Sequence, residues 1–299
     1  MTELTERPIT EPTTGHDPLA GTLAGTLAGT MKRLGLTTLA TAAPGLLEMA
    51  RQQHWPYETF LQQALGAELQ GRAQRAYERR LHAAHLPASA VSISLDSFDF
   101  GFQPSLSERL IRELATLGFL ETATNLIFLG PPGVGKTHLA LGLLARTLDA
   151  GYAARFTTLR QLADELETTS WRLQRRRYLT PRLLVIDEIG YLRLTTSQAH
   201  QLFDLVTARY EHAPTILTSN RSFAEWGALL GDEVLATALL DRLLHHAEVI
   251  TIAGRSYRMK DRQLVAAPDA APSSSTLPPE TRPARTETRQ RKEEAGAPA

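Results

Sequence analysis

The amino-acid sequence predicts an α/β fold, a parallel sheet flanked by helices and preceded by a small all-helical N-terminal domain. Three observations predict it. From Asn125 onward short β-rich runs alternate with helical ones, the pattern of βα units that builds a parallel sheet. Ahead of that, from Met31 to about Leu86, apolar residues recur at three- and four-residue spacing, as at Phe60, Leu61, Ala64, Leu65 and Leu69. The 299 residues are 42% hydrophobic and 21% charged, which excludes a wholly disordered chain and leaves room for two domains.

The elements follow in order. Residues 1–30 are rich in Thr, Gly and Pro. Their tandem GTLAGTLAGT, Gly21 to Thr30, has a period too short for a repeat unit, so a disordered, low-complexity tail is expected. Residues 31–95 form the helical domain, a possible contact for DNA or a partner. There Pro44 and Pro56 are expected to separate three helices, the last running from about Tyr57 to His85 and stopped by Pro87. In the connector SISLDSFDFGFQPS, Phe98, Phe100 and Phe102 alternate as residues packed on a neighbour would, rather than as a stacking platform. The core, residues 96–262, reads NLIFLG as a strand, then a helix from about Lys136 to Ala150. ARFTT is a second strand, followed by a helix from about Leu159, and RLLVID is a third. A helix from Thr196 to Glu211, the strand PTILTSN, a helix near Leu235 to His246 and the strand EVITI, Glu248 to Ile252, complete it. Only a short helical lid precedes that last strand. Residues 263–299 are Pro-, Ser- and charge-rich and are expected to be disordered, since they hold too little apolar surface to offset ordering entropy.

Composition narrows the function. Lys plus Arg and Asp plus Glu both number 32, so nucleic-acid binding has to come from local basic patches. The absence of cysteine removes disulfides, thiolate catalysis and Cys-based metal sites, and fits a reducing cytoplasm. No apolar run reaches the roughly 18 residues of a membrane span, and the polar start is unlike a signal peptide. A soluble, cytoplasmic protein without membrane contact is expected.

Gly130-Pro131-Pro132-Gly133-Val134-Gly135-Lys136-Thr137 matches GxxxxGK[ST] between a predicted strand and a predicted helix, the context a phosphate loop of a P-loop NTPase requires. Its glycines let backbone N–H groups curl into an anion nest at a helix N-terminus. Lys136 is expected to reach the β- and γ-phosphates of ATP, Thr137 to ligate Mg2+, and His138, the next residue, to belong to the same cofactor site. Leu183-Leu184-Val185-Ile186-Asp187-Glu188 is an apolar strand ending in two carboxylates. Asp187 suits the Mg2+ shell, and Glu188 suits polarising a water for in-line attack on the γ-phosphate.

FDFGFQPS, LGPPGVGKTHLA, ARFTT, LLVIDEIGYL, ILTSNRSFAEWG and LATALLDRLLHHAEVITIAGRSYR resemble, in order, segments of the IstB-like transposition helper ATPases, relatives of DnaC-type helicase loaders in the AAA+ superfamily. The likeness runs from about Leu34 to Lys260, and the SNRSFAEWG and DRLLHHAEVI segments narrow it beyond a superfamily. It implies a RecA-like AAA+ core and an ATP-hydrolysing helper that oligomerises on duplex DNA and recruits or activates a transposase. A helicase loader, or a DNA scaffold that binds ATP without turnover, are the alternatives. It also implies that Asn220, at the tip of a strand lying between the two motif strands, positions the attacking water; an Asn that merely closes a turn is the other reading. Arg242 falls where a neighbouring subunit's arginine would complete the site, with Arg221 and Arg209 as competitors, and Arg258 falls where a sensor arginine would bind nucleotide. A surface salt bridge is the plainer fate of either.

Two basic patches could meet DNA, without sequence preference since no helix-turn-helix or zinc finger is apparent. Arg72, Arg75 and Arg79 share a helix face, and Arg172, Arg175, Arg176 and Arg177 form a run free of acids. A solvated face is the alternative for both. His245-His246 is read as structural, because adjacent positions on a helix point apart and no Cys supports a metal.

Overall fold

The computed structural model describes residues 18–88, 90, 93–168 and 171–260, with backbone alone for residues 18–25 and 172. Three helices come first: α1 (Pro18–Arg33), α2 (Thr37–Gln52) and α3 (Tyr57–Ala83). α1 corrects the expectation of a disordered tail through residue 30. A four-residue period is close to the 3.6 residues of a helical turn, so the tandem winds as a helix. Residues 1–17, and the tail from residue 261, lie outside the described residues.

Pro44 does not break the chain as expected; it sits inside α2. It forfeits one backbone hydrogen bond, and the helix continues because Leu39, Ala40 and Ala43 just before it are buried. Pro56 does act as expected, standing at the N-cap of α3. The hairpin is tight: a Cβ on Gly71 would stand 1.9 Å from Thr38 Oγ1. Leu39, Ala43 and Ala64 form its small core. At its far end α3 joins the main body, where the Ala84 carbonyl accepts from Phe156 N–H at 2.8 Å and Arg80 donates to the Leu148 carbonyl at 3.4 Å. His85, at φ 53°, turns the chain away two residues before Pro87.

After the connector come α4 (Glu108–Leu114), α5 (Gly118–Glu121), β1 (Asn125–Leu129), α6 (Lys136–Asp149), β2 (Ala154–Thr158), α7 (Leu159–Leu166), α8 (Trp171–Gln174) and α9 (Arg176–Leu179). Then follow β3 (Leu183–Ile189), α10 (Thr196–Arg209), β4 (Thr215–Ser219), α11 (Trp226–Leu230), α12 (Glu233–His245) and β5 (Ala247–Thr251). The five strands form one parallel sheet in the order β2-β3-β4-β1-β5. Both faces are covered, so β1, β3 and β4 are buried along nearly their whole length rather than at alternate residues. Leu126, Phe128, Leu183 and Val185 pack with α6 on one face, while Ile127, Leu184 and Ile186 pack with α7, α10, α11 and α12 on the other. Because every strand is parallel, their C-terminal ends collect at one edge. The loops after β1, β3 and β4 therefore meet there.

Candidate functional site

The phosphate loop connects β1 to α6 at that edge. Gly133 at φ 83° and Gly135 at φ 101° occupy backbone conformations that L side chains avoid. Each is also hemmed in: a Cβ at Gly133 would stand 2.1 Å from Ser256 Oγ, and one at Gly135 would stand 2.5 Å from Phe98. Tyr257 N–H donates to the Gly133 carbonyl at 2.8 Å, so a segment from beyond β5 props the loop open in a cradle shape. Lys136 is buried, and its Nζ donates to the Gly130 and Pro131 carbonyls at 2.7 and 2.8 Å. Burial lowers the pKa of its ammonium; Asp187 opposes that shift and Arg258 adds to it. A desolvated cation at a helix N-terminus, roofed by carbonyls, suits an anion.

β3 ends in an irregularity. Its register with β4 shifts between Ile186 and Ile189, and Glu188 between them sits at φ 63°. The bulge takes the acidic pair out of the ladder with β4, while Asp187 stays in register with Thr158 of β2, and it aims the two carboxylates differently. Asp187 turns inward and is buried, accepting from Thr137 Oγ1 at 2.9 and 3.1 Å and from the Thr218 hydroxyl. Glu188 points outward, and its N–H is held by Thr218 Oγ1 at 3.1 Å instead of by the ladder. A non-glycine residue in this conformation carries strain on the order of 1–3 kcal/mol. β4 lies between β1 and β3, as the sequence resemblance implied. Its last residue, Ser219, donates to the Ile189 carbonyl at 2.7 Å, and Asn220 follows. The Asn220 side chain packs over Gly190, where a Cβ would stand 2.5 Å from its Oδ1, and that oxygen is buried without a hydrogen-bond partner among the described residues.

Thr137, Asp187, Glu188 and Asn220 are thus gathered by three strands at one edge, with oxygen donors from a hydroxyl and a carboxylate, the set that a hard divalent cation such as Mg2+ takes. Beside them a cavity of about 330 Å³ opens between Phe98, Gln103, Lys136, Leu141, Tyr257 and Arg258. Arg258 thus lines the same cavity as Lys136. His138 borders the cavity, but its ring is turned to the connector, with Nε2 2.8 Å from the Ser94 carbonyl. Phe98, Gln103, Thr218 and Tyr257 are site residues that sequence reasoning missed. Phe98 was assigned to packing, and it packs on the core and walls the cavity at once.

The arginines separate clearly. Arg209 is no finger: it is buried and donates to the carbonyls of Tyr178, Pro181 and Pro214 and to Thr215 Oγ1. Arg221 pairs with Glu225 at 2.8 Å beside the site. Arg242 stacks 4.4 Å above the Phe203 ring near the end of α12, which leads into the start of β5. That is the edge opposite the phosphate loop, so Arg242 does not join its own chain's site.

In the first basic patch two of the three arginines already have an acidic partner. Arg72 and Arg75 pair with buried Glu68 at 2.9 and 3.2 Å, and Arg75 also donates to Thr38, so both serve the α2–α3 contact. Arg79 is exposed, and so is about half of the Arg72 side chain. Arg175, Arg176 and Arg177 are exposed and form no ion pair with a described residue; the Arg172 side chain lies outside the described ones. Arg177 comes near the end of α3, where burial first, then Arg155 and Arg177, hold the His85 imidazole below its ordinary pKa. Among the described residues no helix is long and apolar enough to cross a membrane.

Comparison with known proteins comes to the same region of the chain. The family described as IstB-like ATP binding protein matches residues 29–265. A protein of insertion sequence IS5376 of Geobacillus stearothermophilus, named for ATP binding, is 42% identical over 78% of this chain and 93% of its own. Its counterpart in IS21 of Pseudomonas aeruginosa is 44% identical, over 78% and 88%. Among solved structures, the DnaC helicase loader is 24% identical at a TM-score of 0.45, covering 56% of this chain and 99% of its own.

Proposed function

The chain belongs to the IstB-like ATP-binding protein family, and from the geometry of its site we propose that it is a Mg2+-dependent ATPase that assembles on duplex DNA. In this reading hydrolysis controls the assembly, and the assembly recruits or activates a partner transposase. The observation that carries the catalytic part is the gathering of Thr137, Asp187, Glu188 and Asn220 by β1, β3 and β4 beside the glycine cradle. The names of the relatives, taken from insertion sequences, support the transposition part.

The backbone N–H groups at the start of α6 take the phosphates, and Lys136 exchanges its two carbonyl partners for phosphate oxygens. The negative charge of the phosphates then opposes the burial that lowers its pKa, as Asp187 already does. Thr137 and Asp187 would hold Mg2+, which would supply charge neutralisation at the phosphates. Thr218 keeps Asp187 aimed by donating to it. Glu188, strained and solvent-facing, accepts the proton of the attacking water, while the Asn220 amide orients that water. Arg258 contributes from the same chain. Arg242, at the opposite edge, serves the site of a neighbouring subunit, which makes turnover depend on oligomerisation. Arg79, Arg175, Arg176 and Arg177 offer phosphate contacts for DNA without reading bases.

The test is phosphate release with and without duplex DNA for the native chain, for Glu188→Gln, and for Arg242→Ala mixed with Glu188→Gln. The native chain is expected to be stimulated by DNA, and Glu188→Gln to bind ATP but turn over at least ~10²-fold more slowly. The mixture is expected to recover part of the rate, since each variant supplies what the other lacks. Native-like turnover in Glu188→Gln removes that residue from catalysis; absent DNA-stimulated release in the native chain leaves a scaffold.

A further inference from the structure

We infer that Glu211, His245 and His246 form a binding site for a divalent transition-metal ion of the zinc class, at the sheet edge away from the phosphate loop. Their candidate ligand atoms all lie within 4.8 Å of one another. On a continuous helix adjacent histidines point apart, but this helix stops between them. α12 ends at His245, and His246 leaves it at φ −125°, ψ 71°. The His246 carbonyl is fixed by Asn125 N–H at 2.7 Å, which turns its ring back until the two imidazole centroids are 4.3 Å apart.

The third side chain arrives from the other side. Glu211 follows α10 with φ 59°, a left-handed conformation that a non-glycine residue adopts at some cost, and its Oε1 lies 3.8 Å from His246 Nε2. That is too long for a hydrogen bond. It is near the separation of about 3.3 Å between two ligands of a tetrahedral ion bound at 2.0–2.1 Å. Tyr210 supplies the outer partner. Its hydroxyl is 2.7 Å from His245 Nδ1, and in the tautomer with the proton on Nδ1 that nitrogen donates to the hydroxyl and leaves Nε2 free for metal. Asp241 and Arg242 are the other charged groups facing Tyr210, and the Arg242 guanidinium is engaged over Phe203. All three ligands are exposed, so an ion can enter and keep a water in its fourth position. Two imidazoles and one carboxylate select zinc-like ions over magnesium or calcium. A bound ion would tie the last turn of α12, which carries Arg242, to the segment joining α10 to β4.

The experiment uses the full chain without any histidine tag, titrated with zinc by calorimetry and with cobalt(II) followed by its visible absorption. Native protein is expected to take up a single equivalent, with a tetrahedral cobalt spectrum that excess magnesium does not erase. His245→Ala/His246→Ala should abolish both signals, and Glu211→Gln should weaken binding at least ~10-fold. Tyr210→Phe should weaken it by about 10-fold through the outer shell. Far-UV circular dichroism checks that each variant is folded, which the exposure of these side chains favours. Zinc uptake by the double variant equal to native uptake, or no uptake by the native chain, overturns the site.

Discussion

Replacing Gly135 by Ala tests how the phosphate loop is held. Two separate penalties are legible in the structure. The first is conformational: φ is 101° and ψ 10°, outside even the left-handed pocket that non-glycine residues tolerate, and such strain costs about 1–3 kcal/mol. The second is steric, since the new Cβ would stand 2.5 Å from Phe98 Cε2 and the ring has to move. Phe98 also contacts Phe100 at 4.9 Å and His138 at 5.5 Å between centroids, so its displacement costs a further ~1–3 kcal/mol of overpacking. Together they amount to roughly 4 kcal/mol, a large share of a typical total of about 5–15 kcal/mol. At about 2–4 °C per kcal/mol the melting midpoint should fall by about 8–16 °C, with nucleotide affinity lost as well. A double-mutant cycle with Phe98→Ala separates the two penalties. Removing the ring relieves the clash but not the dihedral strain, so a coupling of about 1–3 kcal/mol is expected from denaturant unfolding. An unchanged midpoint and unchanged ATP affinity in Gly135→Ala would refute the account, and zero coupling would refute its steric half.

Arg209→Met strands the three carbonyls and one hydroxyl that the guanidinium serves, against the gain of no longer burying a cation whose pKa burial lowers to about 10. A net loss of about 2–4 kcal/mol in urea unfolding is expected; native stability with abolished hydrolysis would instead make it the trans arginine. Thr218→Val removes a donor to Asp187 and the acceptor for Glu188 N–H, so hydrolysis should fall ~10-fold or more with the fold intact. A native rate would show that Thr218 does not position the acidic pair. The Glu68 carboxyl is held below its ordinary value of 4.5, first by Leu39 N–H and then by Arg72 and Arg75 against the opposing effect of burial. A depressed carboxylate contributes stability above its unfolded pKa and loses it as pH falls through the folded one. Amide exchange in α2 should therefore accelerate below about pH 4.5 before the sheet opens, and Glu68→Gln should remove that acid step. Equal acid sensitivity in the variant would exclude Glu68 as the cause.

What the sequence disclosed was what is local. The phosphate loop and the acidic strand each lie within one short run, so their roles could be read from spacing and from the strand or helix beside them. β4 and its Asn220 took their place from the resemblance, and the strand order bears out that placement. Phe98, Thr218 and Tyr257 stayed hidden because they enter the site only through tertiary contacts that no spacing encodes. Arg72 and Arg75 misled for a related reason. Their helical spacing correctly put them on one face, but only the packing of α2 shows that their guanidinium groups are already engaged by Glu68 and Thr38 while staying partly in solvent. Pro44 carried a general rule that neighbouring burial overrode, and the histidine pair turned on where a helix stops, the least legible property of any helix.

Ser256 and Tyr257, which belong to neither the phosphate loop nor the acidic strand, hold the floor of the phosphate loop. A loop already fixed in shape pays little entropy when a triphosphate arrives, so tight binding is inherited from residues a linear scan would pass over. Changes there would masquerade as damage to the motif, with every signature residue intact and the nucleotide still slipping away.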